Sequence, residues 1–286
     1  MEINKISSNY IPQRLQDISS KPKLLYSSMP AAQLETLLKR KCLAVVGSRK
    51  VTAYGRQVTA GLAGKAAEQG VVIISGLALG VDAIAHQAAL DAGGTTIAVL
   101  PSPLETVYPA SHRQLASSIL AQGGALISEY PEGTEAYRTN FIARNRLVSG
   151  LADAVLITEA AEKSGSLHTA NFALDQGKEV LAVPGNITSL TSEGTNNLIK
   201  AGARPVTSYK DVLLALGLEE HDASVPVYGR NPEEQAILDL LLQGTSDGEE
   251  LQKTSHLAIA EFNKTLTMLE ISGKIRAIGA NQWALR

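Results

Sequence analysis

The chain has 286 residues, of which 44% are hydrophobic and 19% charged, and its formal net charge is −2. That composition supplies a sizeable core, excludes wholesale disorder, and gives no whole-molecule field that would gather a polyanion. No apolar run approaches the roughly 20 residues that span a bilayer, so a membrane partner is not expected.

The opening residues lack the basic-then-apolar pattern of a secretory signal, and the lone Cys42 allows no internal disulfide, as suits a reducing cytoplasm. Residues 1–41 carry seven Lys/Arg against three Asp/Glu and are broken by Pro12, Pro22 and Pro30. They read as an N-terminal extension packed on the main domain and ending in a short helix, 31–40.

From Cys42 onward apolar runs alternate with amphipathic stretches. The runs are 43–46, 71–74, 96–100, 125–127, 154–158 and 179–183, rich in Val, Ile and Leu and without strict alternation. Strands covered on both faces have that pattern. Helices are predicted near 55–69, 81–92, 113–122 and 169–176, with stop signals at Gly70, Gly93, Gly123 and Gly177. Strand and helix in repeated alternation predict an α/β domain over 42–217 with a doubly wound, mostly parallel sheet. Ligands of such sheets lie beyond the carboxyl ends of the strands. A helix over 211–216, capped near Ser208, closes the domain.

A linker is predicted over 218–230, holding His221, Pro226 and Gly229. Residues 231–286 differ in kind. Asn231-Pro232 suits the cap and first turn of a helix reaching Gln243. Helices near 247–254 and 258–272 follow, then a hairpin over 274–286 turned at Gly279-Ala280-Asn281. Three helices and a hairpin predict a small winged-helix domain. Its six Lys/Arg against eight Asp/Glu over 230–286 disfavour duplex DNA, because each phosphate contact needs a cation. A protein-contact or regulatory role fits it better.

Candidate site residues cluster at the predicted strand ends. Gly47-Ser48-Arg49 follows the first strand and reads either as a phosphate-holding loop or as a tight turn with a surface arginine. Ser75-Gly76 and Gly80-Val81-Asp82 repeat the arrangement after the second strand. Asp82 and His86, four apart, share a helix face, as a catalytic pair with Ser75 or, better, as a loop-shaping cap and hydrogen bond. Arg144-Asn145-Arg146, with Arg138 and Phe141 upstream, reads equally as a phosphodiester clamp with a base-stacking ring or as an internal ion-pair cluster. Ser164-Gly165-Ser166 with Thr169 opens a helix, which serves an anion or simple capping equally. Val183-Pro184-Gly185 follows a further strand. Neither a phosphate-loop nor a dinucleotide glycine motif is present, and the histidines and cysteine show no metal-ligand spacing. No catalytic residue, cofactor or metal is therefore expected.

Taken together these motifs resemble the DNA-processing protein A (DprA/Smf) family over about residues 40–217, and more weakly through the tail. The pieces carrying the resemblance are Gly47-Ser48-Arg49, Ser75 through Asp82 with Ala85-His86, Tyr108-Pro109, Ser128-Glu129-Tyr130-Pro131, Phe141 with Arg144-Asn145-Arg146, Ser164 through Leu167 with Thr169-Ala170, and Ala182 through Gly185. The resemblance implies an extended Rossmann-like domain that binds single-stranded DNA in a basic pocket, dimerises, guards DNA during natural transformation and loads the RecA recombinase. Carried over by position, it assigns phosphate contacts to Arg49, Arg144 and Arg146. Ser48, Ser164, Ser166 and the neighbouring glycines would complete the pocket, with Arg138 and Phe141 at its rim.

The chain departs from the family pattern at Ile142, where proline is expected, and at His168, where an aliphatic residue is usual. Met1–Lys41 is also too short for the helical domain that many members carry. The rival expectation is an enzyme, a Rossmann-like nucleotide hydrolase of the LOG (lysine-decarboxylase-like) type. That chemistry needs a helix-borne glutamate, yet Thr169-Ala170-Asn171-Phe172 holds no carboxylate and Glu159 lies upstream.

Overall fold

A computed structural model describes residues 2–135, 137–219, 229–279 and 281–285. The chain forms two compact units, Met1–His221 and Asp222–Arg286. Residues 220–228, most of the predicted linker with its His221 and Pro226, lie outside the described residues.

The first unit runs β1 (Asn4–Ser7), β2 (Leu24–Ser27), α1 (Ala31–Leu38), β3 (Cys42–Val46), α2 (Ala53–Glu68), β4 (Val72–Ser75), α3 (Val81–Asp91) and β5 (Thr96–Leu100). It continues with α4 (Arg113–Ala121), β6 (Ala125–Ser128), α5 (Arg138–Leu151), β7 (Ala154–Ile157), α6 (Ser166–Asp175), β8 (Glu179–Ala182), α7 (Glu193–Lys200), β9 (Arg204–Pro205) and α8 (Tyr209–Ala215). One sheet holds all nine strands in the order β1-β2-β6-β5-β4-β3-β7-β8-β9. The run from β6 to β9 is parallel throughout, and only β1 and β2 are antiparallel.

The register of β3 explains its unbroken apolar sequence. Cys42, Ala44 and Val46 face a core built with α1, α5 and α6, whereas Leu43 and Val45 face one built with α2, α3 and α8. Successive side chains alternate between two covered faces, so every position must be apolar. The chain steps outward from β3 to β6, then returns through α5 to place β7 on the other side of β3. The strand order reverses between β3 and β7, and a crevice opens at such a switch point.

Residues 1–41 correct the sequence reading. They are not merely an extension packed against the domain. β1 and β2 form an antiparallel pair, and β2 joins β6, the last strand of the parallel run, through Tyr26 opposite Ser128. Ile6, Ile11, Leu15, Leu25 and Leu34 are buried in the sheet's main core, and Arg14 pairs with Asp153 at 2.9 Å. The strands are four residues long and separated by prolines, too short for their period to stand out. Helix α7 and strand β9 were likewise not anticipated.

The second unit comprises α9 (Pro232–Leu242), α10 (Gly248–Ser255), α11 (Ile259–Ile271) and the hairpin β10 (Ile275–Gly279) and β11 (Gln282–Leu285). That is the element order predicted for a winged helix. The Asn231 side chain accepts from the Glu234 amide at 2.8 Å, and Pro232 opens the helix. Ile237, Leu238, Leu251, Phe262, Leu269 and Ile275 make its core.

Candidate nucleic-acid interface

The loops beyond β3 and β7 enclose a cleft of about 890 Å³ at the switch point. Of the fifteen candidate residues, eleven line it: Gly47, Ser48, Arg49, Arg138, Phe141, Arg144, Asn145, Ser164, Gly165, Ser166 and Thr169. Helix periodicity explains how α5 contributes. Arg138, Phe141, Ile142 and Asn145 sit at i, i+3, i+4 and i+7 and so share one face.

The same periodicity separates the two arginines that the sequence reading joined into a clamp. Residues two apart on a helix do not face each other. Arg144 turns under the sheet rim and is 3% exposed. Its Nη1 donates to Gly76 O at 2.7 Å and also to Val99 O. Arg146 turns the other way. Its fork donates to both Glu129 carboxylate oxygens at 2.7 Å, and its Nε donates to Ser20 O at 2.8 Å. The phosphate contact expected of Arg146 is therefore corrected: its guanidinium is taken up by an internal carboxylate, outside the cleft. Asn145, between them, donates to Gly165 O at 3.4 Å and ties α5 to the loop before α6.

The Ser75–Asp82 motif builds the floor of the cleft. Asp82 accepts from the amides of Gly76 (3.1 Å) and Ala78 (3.3 Å), while Arg144 holds the Gly76 carbonyl. Gly76 is required, because a Cβ there would lie 2.3 Å from the Arg144 guanidinium. Gly80 takes φ +80° and passes so close to the loop after β3 that a Cβ would lie 2.2 Å from Ser48 O. Burial raises the Asp82 carboxyl above the ordinary aspartate value, with the Arg144 charge opposing it. Burial likewise lowers the Arg144 guanidinium to about 10, which leaves it charged at neutral pH.

Ser75, Asp82 and His86 are not joined as a catalytic relay. Ser75 Oγ donates to Val45 O at 2.6 Å. His86 Nδ1 meets Thr96 Oγ1 at 2.6 Å, and that hydroxyl itself donates to Ile73 O. Ser75 and Gly76 thus correct to supports beneath the cleft. Glu159 is 2% exposed and accepts from the Thr52 amide and hydroxyl at the start of α2. Gly185 belongs to a separate neighbouring cavity.

The open wall of the cleft is cationic and aromatic. Arg49 lies 5.1 Å from the centroid of the Phe141 ring, a cation–π distance. Tyr108 packs edge-on to Phe141 with centroids 5.3 Å apart. Exposed Arg49, Lys50, Arg138 and Lys163 line the cleft together with these rings, while Asp82 is the one carboxylate among the lining residues. Lys50, Lys163 and Tyr108 were not counted as site residues from sequence. Their signal was adjacency to the Gly47-Ser48-Arg49, Ser164-Gly165-Ser166 and Pro109 motifs. His168, the departure from the family pattern, is exposed on the same wall.

The backbone contributes less than the glycine motifs suggested. The Ser48 amide donates to Glu159 O at 2.8 Å, and the Lys50 amide to Ser48 Oγ at 3.1 Å. At the start of α6 the Leu167 amide turns back to Ser164 O at 3.1 Å. Side-chain cations and the positive end of α6 therefore carry the attraction for anions.

The family model described as DNA recombination-mediator protein A matches residues 2–217. The Protein Smf of Escherichia coli K12 is 40% identical over 253 residues, covering 85% of this chain and 68% of that protein. DNA processing protein DprA of Bacillus subtilis 168 is 39% identical, covering 72% of this chain and 68% of that one. The crystal structure of Streptococcus pneumoniae DNA processing protein A superposes with TM-score 0.68 at 36% identity, over 77% of this chain and 76% of that chain. The Helicobacter pylori DNA processing protein A, whose structure concerns its single-stranded DNA binding mode, superposes with TM-score 0.67 at 33% identity, over 76% of this chain and 96% of that chain. By sequence and by fold alike, this chain belongs to the DNA recombination-mediator protein A family.

Proposed function

We propose that the chain binds single-stranded DNA in the switch-point cleft and acts in DNA recombination and natural transformation. The observation that carries this reading is a cleft lined by Arg49, Lys50, Arg138 and Lys163 together with the Phe141 and Tyr108 rings. Cations track phosphates, and aromatic faces take unpaired bases without regard to sequence. A duplex hides those base faces within its own stack, so the arrangement favours the single strand. The binding mode described for the Helicobacter pylori relative supports the same substrate.

The strand is held without being cut: Ser75, Asp82, His86 and Glu159 are each engaged in structural hydrogen bonds away from one another. In this reading the protein works as a cytoplasmic homodimer and hands the strand to the RecA recombinase, in keeping with the recombination-mediator family. The small second unit makes protein contacts.

Fluorescence anisotropy with a labelled single strand and its duplex, at several salt concentrations, tests the central claim. Single-strand affinity should fall with salt at a log–log slope of about −0.7 per phosphate contact, and Arg49→Ala should make that slope shallower by about 0.7. Equal affinity for the duplex, or a slope untouched by Arg49→Ala, would overturn it. Light scattering tests the dimer, and co-sedimentation with RecA on single-stranded DNA tests the hand-over.

A further inference from the structure

Beside the cationic cleft lies a second cavity of about 560 Å³, bounded by Thr52, Tyr54, Pro184, Asn186, Ser189 and Thr191 among others. Thr191 walls both cavities, so the two adjoin. Their chemistry differs. No lining residue of the second cavity carries a charge, so it lacks the cations that draw a phosphate to the cleft.

Its walls are nonetheless built and held. Tyr54 Oη donates to Pro184 O at 2.8 Å, which fixes the ring against the loop after β8. Asn196 brackets Gly185, accepting from its amide and donating to its carbonyl, both at 3.1 Å. Gly185 must be glycine, because a Cβ would lie 2.1 Å from Ser192 Oγ. Ser189 Oγ and Thr191 Oγ1 stand 2.9 Å apart. Tyr54 remains 48% exposed, leaving part of its ring open to a flat ligand.

We infer that this cavity is a nucleobase subsite, taking a base of the same strand whose phosphates lie on Arg49 and Lys163. The inference rests on the single-strand reading and extends it. A volume of this size suits a small ligand buried mostly by apolar contact with a few polar groups. The Tyr54 ring supplies a stacking face, and the Ser, Thr and Asn side chains both donate and accept, so they can meet any base edge. The charged cleft holds the backbone and a base on its own rings, and the neutral cavity takes a further base of the same strand.

The experiment compares an oligothymidylate with an abasic oligomer of equal length, both labelled, binding to the full chain. Tyr54→Ala and Ser189→Trp, the latter filling the cavity, should each weaken the oligothymidylate by about tenfold and leave the abasic oligomer unchanged. On the unmodified protein, a strand carrying 5-iodo-deoxyuridine should cross-link to Tyr54 on irradiation. That readout keeps the test decisive if Ser189→Trp lowers the melting temperature.

If both oligomers weaken together, or neither changes, and cross-links map only to Phe141 and Tyr108, the subsite is overturned while the cleft stands. If Arg49→Ala leaves the abasic oligomer's affinity unchanged, the cleft reading itself fails, and this inference with it.

Discussion

Arg144 and Arg49 line the same cleft but should fail in opposite ways when truncated. Arg144→Ala removes the donors to Gly76 O and Val99 O and leaves Asp82, 6% exposed, without its nearby opposite charge. Each buried carbonyl that loses its donor costs about 1–3 kcal/mol, and Asp82 loses a favourable neighbouring charge besides. These terms overlap, since Asp82 can relieve its own penalty by taking up a proton. A loss of about 2–6 kcal/mol for the two carbonyls, at about 2–4 °C per kcal/mol for a unit of this size, lowers Tm by roughly 10 °C. Arg49 is exposed and its guanidinium lies over the Phe141 ring, so Arg49→Ala should leave Tm nearly unchanged and weaken DNA binding. Thermal unfolding followed by circular dichroism, paired with anisotropy, separates the two. Adding Asp82→Asn to Arg144→Ala removes the stranded carboxylate and should recover part of the lost Tm. An Arg144→Ala protein that melts like the parent but has lost DNA affinity would mean that Arg144 grips phosphate directly, against the geometry drawn here.

Arg146→Ala breaks the fork to Glu129, so urea unfolding should detect a loss of stability while single-strand affinity stays where it was; a large loss of affinity would put Arg146 back in the binding surface. Burial holds His86 down at about 3 against 6.5 when unfolded. As pH falls below 6.5 the unfolded chain takes up a proton that the folded one refuses, so stability is complete above pH 6.5 and declines toward pH 3, by about 1.4 kcal/mol per pH unit. His86→Gln should flatten the urea midpoint between pH 6.5 and 5, where few carboxylates titrate, and an unchanged slope would count against the buried neutral ring. Removing residues 230–286 should leave single-strand affinity nearly intact, because that unit's Asp and Glu outnumber its Lys and Arg; a marked loss by anisotropy would assign it DNA contacts.

Much of the architecture could be read directly from residue order. The strands over 42–182 were legible because a strand covered on both faces has no polar position to spend, and β3 shows this residue by residue. The site was legible in part, since Gly47-Ser48-Arg49 and Ser164-Gly165-Ser166 directly follow strands that end at the switch point. The antiparallel edge made by β1 and β2 was not, because four-residue strands carry too little period and their pairing partner lies about a hundred residues away.

What tertiary structure alone decided was the direction of each side chain. Arg144 and Arg146 look equivalent in one dimension, yet two steps along a helix turn a side chain through more than half a revolution. One guanidinium therefore braces the floor of the cleft and the other pairs with Glu129 behind it. Lys50, Lys163 and Tyr108 became site residues for the converse reason: loops from distant positions converge only where the strand order reverses. Local pattern determines which elements form, because period and burial act over a few residues. Which groups then share a cavity depends on how those elements pack.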